Sequence, residues 1–257
     1  MFLPRLIPVL LLKGKGLVKT IKFKDPSYIG DPINAVKIFN DLKADELILL
    51  DIMASKENRC IDFNLVKDIG DEAFMPFGVG GGISNLEQIE QLLKFGAEKV
   101  IINTNAILNP DLIKNASNHF GSQSIVVCLD VKKSLFGKYE LFIKGGSVNT
   151  HLNLLDTAKK MEDLGAGELI IHSIDNDGTL KGYDIQAIRL VSENLTIPIV
   201  CLGGAWTLEH LRQAYFEGKA HALAAGSFFV YHGPRRAVLI NYPTKVEIKN
   251  IFYDSRS

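Results

Sequence analysis

Apolar runs alternate with amphipathic stretches along the whole chain. Eight short runs, at residues 6–12, 46–51, 77–79, 100–103, 124–130, 168–173, 199–202 and 221–225, are largely apolar. Such near-continuous runs are typical of strands buried on both faces of a sheet. Between most of them lie Pro32–Leu42, Asn85–Leu93, Pro110–His119, Leu154–Leu164, Gln186–Asn194 and Leu208–Phe216, with apolar residues at three- and four-residue steps. That spacing predicts helices with one buried face. Asn85 and Asp111 stand where a cap or a first-turn acid belongs, and Gly96, Gly121, Gly165 and Gly218 follow the last periodic residue of their helices. Strands joined by helices in regular alternation predict a parallel sheet.

The pattern is doubled. Pro76–Ile107 and Pro198–Phe229 align without a gap at an offset of 122, placing Gly81-Gly82 over Gly203-Gly204 and Leu86-Glu87 over Leu208-Glu209. Glu46-Leu47-Ile48 recurs as Glu168-Leu169-Ile170 at the same offset, and VLLLK at 9–13 meets CLDVK at 128–132 at an offset of 119. Two four-strand halves follow, about 1–122 and 123–240, with a tail at 241–257. The expected fold is an α/β (β/α)₈ TIM barrel built from two duplicated (β/α)₄ halves, one domain over 1–257. An open doubly wound sheet is the alternative, and it breaks the equivalence of the halves.

Composition narrows the function classes. The 29 basic and 29 acidic residues cancel, so no global field draws nucleic acid or an anionic membrane, and a small anion would need a local patch. The apolar start is interrupted by Pro4, Arg5 and Pro8 and is too short for a membrane span, which reads as the first strand of a cytoplasmic protein. Cys60, Cys128 and Cys201 are odd in number and lack CxxC spacing, so neither a disulfide framework nor a zinc site is expected.

In a barrel, ligands meet the carboxyl ends of strands and the loops just after them. Gly80-Gly81-Gly82, Gly203-Gly204 and Ala225-Gly226-Ser227 each follow a strand, where glycine lets backbone amides approach an anion. Any one of them alone reads better as a tight turn. As matched sets, with Asn103-Thr104 the counterpart of Ala225-Gly226, they predict two anion sites across the barrel mouth and a ligand with two phosphates. The stretch from Lys13 to Asp31 holds Lys13, Lys15, Lys19, Lys22 and Lys24 and reads as a mobile basic lid, with Lys19 its leading candidate; a solvated loop is the alternative. Asp51 and Asp130 end apolar strands, so their carboxylates should face the mouth, and Asp130 suits general acid–base work. The SIDNDGT run at 173–179 supplies Asp177 and Gly178, but Leu180 and Gln186 stand where a calcium loop needs glycine and glutamate. The histidines show no metal-binding spacing, and no metal or cofactor is expected.

These residues resemble a known family. GDP at 30–32, DELILLDI at 45–52, VGGGI at 79–83, KVIINT at 99–104, FGSQ at 120–123, GAGE at 165–168, SIDNDGT at 173–179 and GGA at 203–205 are similar to the cyclase subunit of imidazole glycerol phosphate synthase, HisF. The resemblance implies a duplicated barrel that binds a bis-phosphorylated ribonucleotide and takes ammonia from a glutaminase (HisH-like) docked on its amino-terminal face. It makes Asp130 a general acid or base. It places Lys19, Asp51, Gly82, Asn103, Thr104, Asp177, Gly204 and Gly226 at or beside ligand-contacting positions, and the adjoining Gly81, Gly178, Gly203 and Ser227 complete the expected phosphate-binding set. It also implies that Arg5, Glu46, Lys99 and Glu168 form a ring of alternating charges gating ammonia entry. One departure stands out: the family's second catalytic aspartate is Leu11 here, the repeat mate of Asp130.

PVLLLK, the GLVKTIKFK stretch and GPRRAVLINYP resemble a divergent branch that accompanies a glutaminase and a separate amidotransferase, which amidinates nucleotide-activated sugars for surface polysaccharide. The resemblance then implies an ammonia-channelling subunit. A cyclase of histidine biosynthesis working with Asp130 alone is the alternative, and a phosphate-sugar isomerase would have no use for the ring.

Overall fold

The near-continuous apolar runs do form strands buried on both faces. A computed structural model describes residues 3–134 and 137–253; positions 1–2, 135–136 and 254–257 of the expected span lie outside the described residues. In chain order the strands are β1 (Arg5–Lys13), β2 (Gly16–Ile21), β3 (Lys24–Gly30), β4 (Leu47–Asp51), β5 (Phe77–Gly80), β6 (Lys99–Ile102), β7 (Ile125–Lys133), β8 (Tyr139–Ile143), β9 (Val148–Asn153), β10 (Glu168–Ser173), β11 (Ile199–Leu202), β12 (Ala222–Ala225) and a short antiparallel pair, β13 (Tyr231–His232) with β14 (Ala237–Val238). The helices are α1 (Pro32–Asp41), α2 (Phe63–Glu72), α3 (Leu86–Lys94), α4 (Thr104–Leu108), α5 (Asp111–Phe120), α6 (Leu154–Asp163), α7 (Ile185–Ser192), α8 (Leu208–Phe216), α9 (Ser227–Val230) and α10 (Lys245–Tyr253).

Strands β1, β4, β5, β6, β7, β10, β11 and β12 pair in parallel, and β12 returns to β1 through Arg5↔Ala222 to Pro8↔Ala225. The sheet is a closed eight-stranded (β/α)₈ barrel, which leaves no open edge among those strands. Alternation along β1 shows the two layers: Leu6, Leu10 and Leu12 pack outward under the helices, while Ile7, Val9 and Leu11 face the barrel interior. Ile48, Val126, Ile170 and Val200 complete the inner layers. Repeat mates cap equivalent helices, with Asn85 accepting from the amide of Gln88 at α3 and Thr207 from that of His210 at α8.

Four features go beyond the sequence pattern or differ from it. First, the stretch after β1 is not an open loop: β2 pairs antiparallel with β1, and β3 with β2. Lys19 and Thr20 are buried in this hairpin, whereas Lys13, Lys15, Lys22 and Lys24 are exposed. Second, β8 and β9 form the matching hairpin on β7, which the sequence pattern did not reveal. Third, α2 fills the crossover after β4 although its sequence carries Gly70. Fourth, the repeat offset becomes 123 beyond α8. Gly78 pairs with Lys99 in one half and Val200 with Ala222 in the other, so the mates of Asn103-Thr104 are Gly226-Ser227 rather than Ala225-Gly226. One extra residue between α8 and β12 accounts for the shift. The tail is not merely an extension: α10 buries Ile248 and Phe252, and the Phe252 ring meets Tyr215 and Phe216 on α8.

Candidate functional site

The carboxyl ends of the strands hold two adjoining cavities that share Leu11 and His172 as a common wall. The larger, of about 120 Å³, is bordered by Asp51, Gly81, Gly82, Asn103, Thr104 and Asp130. The smaller, of about 10 Å³, is bordered by Lys19, Asp177, Gly178, Gly203, Gly204 and the Gly226-Ser227 pair. Lys19, Asp51, Asp130, Asp177 and the paired glycine sets therefore all border one cavity or the other, while Gly80 and Ala225 border neither. The two glycine sets belong to β5–β6 and β11–β12, on opposite sides of the ring.

The glycines are required by close packing as well as by any anion. Gly82 has φ +64°, and a Cβ there would lie 1.8 Å from the carbonyl oxygen of Arg59; its mate Gly204 has φ +102° and would place a Cβ 2.1 Å from the carbonyl oxygen of Gly182. Each turn thus rests on the loop of the preceding strand. Gly82→Ala is expected to cost about 2–4 kcal/mol, combining left-handed strain with overpacking. Gly14→Ala, at φ +60° with open space around it, should cost about 1–2 kcal/mol. Urea unfolding of the two variants checks this, and equal losses would remove the packing argument.

Asp51 is tied into its own loop. It accepts from the backbone amides of Met53 at 2.9 Å and Ala54 at 3.1 Å, and from Arg59 Nη1 at 2.6 Å. The Asp51 hydrogen bond pushes the Arg59 guanidinium above its usual range. Across the mouth, Asn103 donates through Nδ2 to the Cys128 carbonyl at 2.8 Å, and the Thr104 hydroxyl accepts from the Lys144 amide at 3.0 Å.

Asp130 and His172 are register partners on adjacent strands β7 and β10. His172 Nδ1 lies 3.3 Å from Asp130 Oδ1, and its Nε2 lies 3.7 Å from Asp177 Oδ1. The longer contact is an ion pair without a hydrogen bond, and Nε2 is buried with no hydrogen-bond partner among the described residues. Burial opposes charge on His172, but its contacts with Asp130 and Asp177 outweigh it and hold its pKa up at about 9. Burial likewise opposes ionisation of Asp177, yet His172, Lys19 and the Thr20 hydroxyl keep its carboxyl below the usual range. Cys128 Sγ approaches Asp130 Oδ1 at 3.7 Å, and burial, reinforced by Asp130, raises the thiol well above its ordinary pKa.

The β2–β3 hairpin is docked over this cluster. Thr20 donates to Asp177 Oδ2 at 2.9 Å, the Lys22 amide donates to the Asp177 carbonyl at 2.9 Å, and the Phe23 ring lies 4.6 Å from the His172 ring. Lys19 turns inward to β12, where a Cβ on Gly226 would sit 1.9 Å from its Nζ. Burial lowers the Lys19 pKa, with Asp177 acting against that shift. A buried cation beside Gly203, Gly204 and the start of α9 can hold an anion.

At the opposite, amino-terminal face, the four expected charges form a ring. Lys99 Nζ donates to Glu46 Oε1 and Glu168 Oε2, each at 2.9 Å, and Arg5 bridges the same two carboxylates from the other side. Glu46 and Glu168 are buried. Burial disfavours charge on Arg5, but Glu168 and Glu46 more than compensate and raise its pKa.

A family model described as histidine biosynthesis protein matches residues 5–234. A protein of Leptospira borgpetersenii, provisionally named as the HisF subunit of imidazole glycerol phosphate synthase, is 47% identical over 98% of this chain and the whole of the relative. The chain belongs to the HisF family of histidine biosynthesis proteins. A Vibrio vulnificus relative provisionally named hisF3 is 46% identical over 95% of both chains. The HisF subunit of Alkaliphilus metalliredigens is 40% identical over 90% of this chain and 92% of its own.

In this HisF-family barrel, sequence reasoning missed His172, Cys128, Arg59, Thr20 and Phe23. His172 is the most consequential. The signal was present: once β7 and β10 are set side by side, Asp130 and His172 fall at the same height, one residue before the end of the apolar run in β10. No helix among the described residues is long and apolar enough to cross a membrane.

Proposed function

We propose that this chain is the barrel subunit of a glutamine-dependent ammonia-transfer complex, with cyclase chemistry of its own relaxed. The observation that carries the reading is a contrast between the two ends of the barrel. At the amino-terminal face, Arg5, Glu46, Lys99 and Glu168 join in a closed ring of ion pairs. At the mouth, the wall position equivalent to Asp130 is Leu11, whose aliphatic side chain is 6% exposed and packs in the inner apolar layer. A side chain without a titratable group transfers no proton, and the loss of a placed acid or base removes about 10²–10⁴ in rate.

The partner in this reading is a HisH-like glutaminase on the amino-terminal face, with the ring as the point where ammonia enters. The acceptor is a nucleotide-activated sugar amidinated by a separate amidotransferase of surface polysaccharide synthesis, in line with the sequence resemblance to that branch. Existence of a relative named hisF3 supports a role beside the histidine-pathway enzyme. The two cavities, with buried Lys19 on one side and the Gly81-Gly82 turn on the other, suit a phosphate-containing small molecule as ligand or effector. Cys60, Cys128 and Cys201 are free thiols, which accords with a cytoplasmic protein.

The competing reading, a lyase of histidine biosynthesis that uses Asp130 alone, is favoured by one observation, that Asp130 still faces the larger cavity. A cyclisation assay with ammonium salt replacing the glutaminase separates them. The expected result is no turnover above background with the bis-phosphorylated ribonucleotide substrate. Turnover comparable to that of the Alkaliphilus metalliredigens subunit would establish the cyclase reading instead.

A further inference from the structure

One ligand atom from each of Cys128, Asp130 and His172 lies within 4.8 Å of the other two, and all three residues are buried. Cys128 and Asp130 are two apart on β7 and so share its inward face, while His172 stands level with Asp130 on β10. We propose that these three side chains bind one divalent ion of the zinc class at the barrel mouth. This site stands independently of the ammonia-transfer reading.

Spacing is the first argument. Around a tetrahedral zinc with bonds of about 2.0–2.3 Å, neighbouring N, O and S ligand atoms are roughly 3.3–3.5 Å apart. Here Oδ1 to Nδ1 is 3.3 Å and Oδ1 to Sγ is 3.7 Å. Both pairs are near the spacing of ligands that share an ion, and the Cys128–His172 pair lies within 4.8 Å, from which it would close by about 1 Å at most. Support behind the histidine is the second argument. A ligating imidazole commonly donates its other N–H to a carboxylate, which fixes the tautomer. His172 Nε2, buried without a hydrogen-bond partner, faces Asp177 Oδ1 at 3.7 Å. With the proton on Nε2, the Nδ1 lone pair points toward the cluster.

Donor chemistry selects the ion. A thiolate and an imidazole with one carboxylate suit zinc or cobalt(II), whereas magnesium and calcium need a shell of oxygens. All three residues also border the larger cavity, so the fourth coordination position opens toward whatever that cavity holds. Binding releases protons to solvent: the Cys128 thiol gives up its proton to the medium as the S–metal bond forms, and an imidazolium at His172 gives up the one on Nδ1. The cysteine spacing argued against zinc because it weighed only pairs of cysteines along the chain; the barrel supplies mixed ligands from two strands.

The test uses the full chain stripped with a chelator and titrated with Co²⁺ alone, then Zn²⁺ alone. One equivalent should bind, the cobalt form should show a thiolate-to-metal charge-transfer band, and zinc should abolish it. Cys128→Ser and His172→Gln should each reduce affinity by more than the roughly 10–100-fold expected for Asp177→Asn. His151→Ala, at an exposed position, should change nothing. The band is read on the unaltered chain, so the outcome does not depend on the variants folding. Uptake below one equivalent, a cobalt complex without the thiolate band, or binding that survives both ligand substitutions, an adventitious ion only, would each overturn the proposal.

Discussion

Leu11→Asp is expected to raise ammonium-dependent cyclisation of a bis-phosphorylated ribonucleotide by about 10²–10⁴, the usual contribution of one positioned acid or base. The position is suited to it. Leu11 pairs in register with Leu50 on β4 and Val18 on β2, and its side chain borders both cavities. A carboxylate placed there would stand in the same mouth as Asp130. The change is not free: an acid in an apolar layer, facing another acid, loses hydration and gains repulsion, so stability should fall by about 1–3 kcal/mol. The assay should contain a chelator, so that Asp130 is not engaged by an ion. If the variant folds and remains inactive, the substitution at position 11 does not explain a silent cyclase, and the functional proposal loses its main support.

Lys99→Met is expected to cost about 3–5 kcal/mol, the usual penalty for removing one partner from a buried ion pair. Lys99, like Arg5, reaches both Glu46 and Glu168, and the side chains of these two acids are only 4% and 8% exposed. Methionine would leave two buried carboxylates to share Arg5 alone. Adding Glu46→Gln to Lys99→Met should recover part of the loss, because the amide no longer carries an uncompensated charge; neighbouring sites couple by about 0.5–3 kcal/mol. Urea midpoints of the single and double variants measure this. A strictly additive cycle would mean that Lys99 and Glu46 act separately, and the ring would then be a drawing rather than a unit.

The two ends of the barrel were unequally legible in the sequence. Arg5, Glu46, Lys99 and Glu168 lie at or just before the first residue of their strands, which puts them at one end of the barrel, and the family resemblance supplied the ring. The glycine sets were legible for the same reason, since each follows a strand end. The hairpins were not. Leu17, Val18, Lys19 and Thr20 are buried in succession, and the irregular register between β2 and β3 erases the alternation that announces a strand. Helix α2 was hidden by Gly70, which lowers helix propensity but is dictated by packing: a Cβ there would lie 2.1 Å from the carbonyl oxygen of Phe95. The tertiary contact outweighed the local preference. The extra residue before β12 was invisible because the alignment at 122 matches Gly218 with Gly96 on one side of it, and alanines and glycine on the other offer little to contradict the register. His172 was overlooked because its partner Asp130 is remote in the chain and adjacent only across strands.

The docked β2–β3 hairpin joins two events that could have been separate. Phe23 covers His172 from above while Asp130 meets it from within the barrel, and Thr20 ties the same hairpin to Asp177 behind the imidazole. Phe23 of the hairpin also borders the larger cavity, so a molecule seated there meets the hairpin as well as the barrel. Lifting the hairpin strips His172 of its aromatic cover and Asp177 of a hydroxyl donor in one stroke. The surroundings of the central imidazole and the wall of the mouth are therefore built from one hairpin, and a spectroscopic label at position 23 would sense a ligand bound on either side of it.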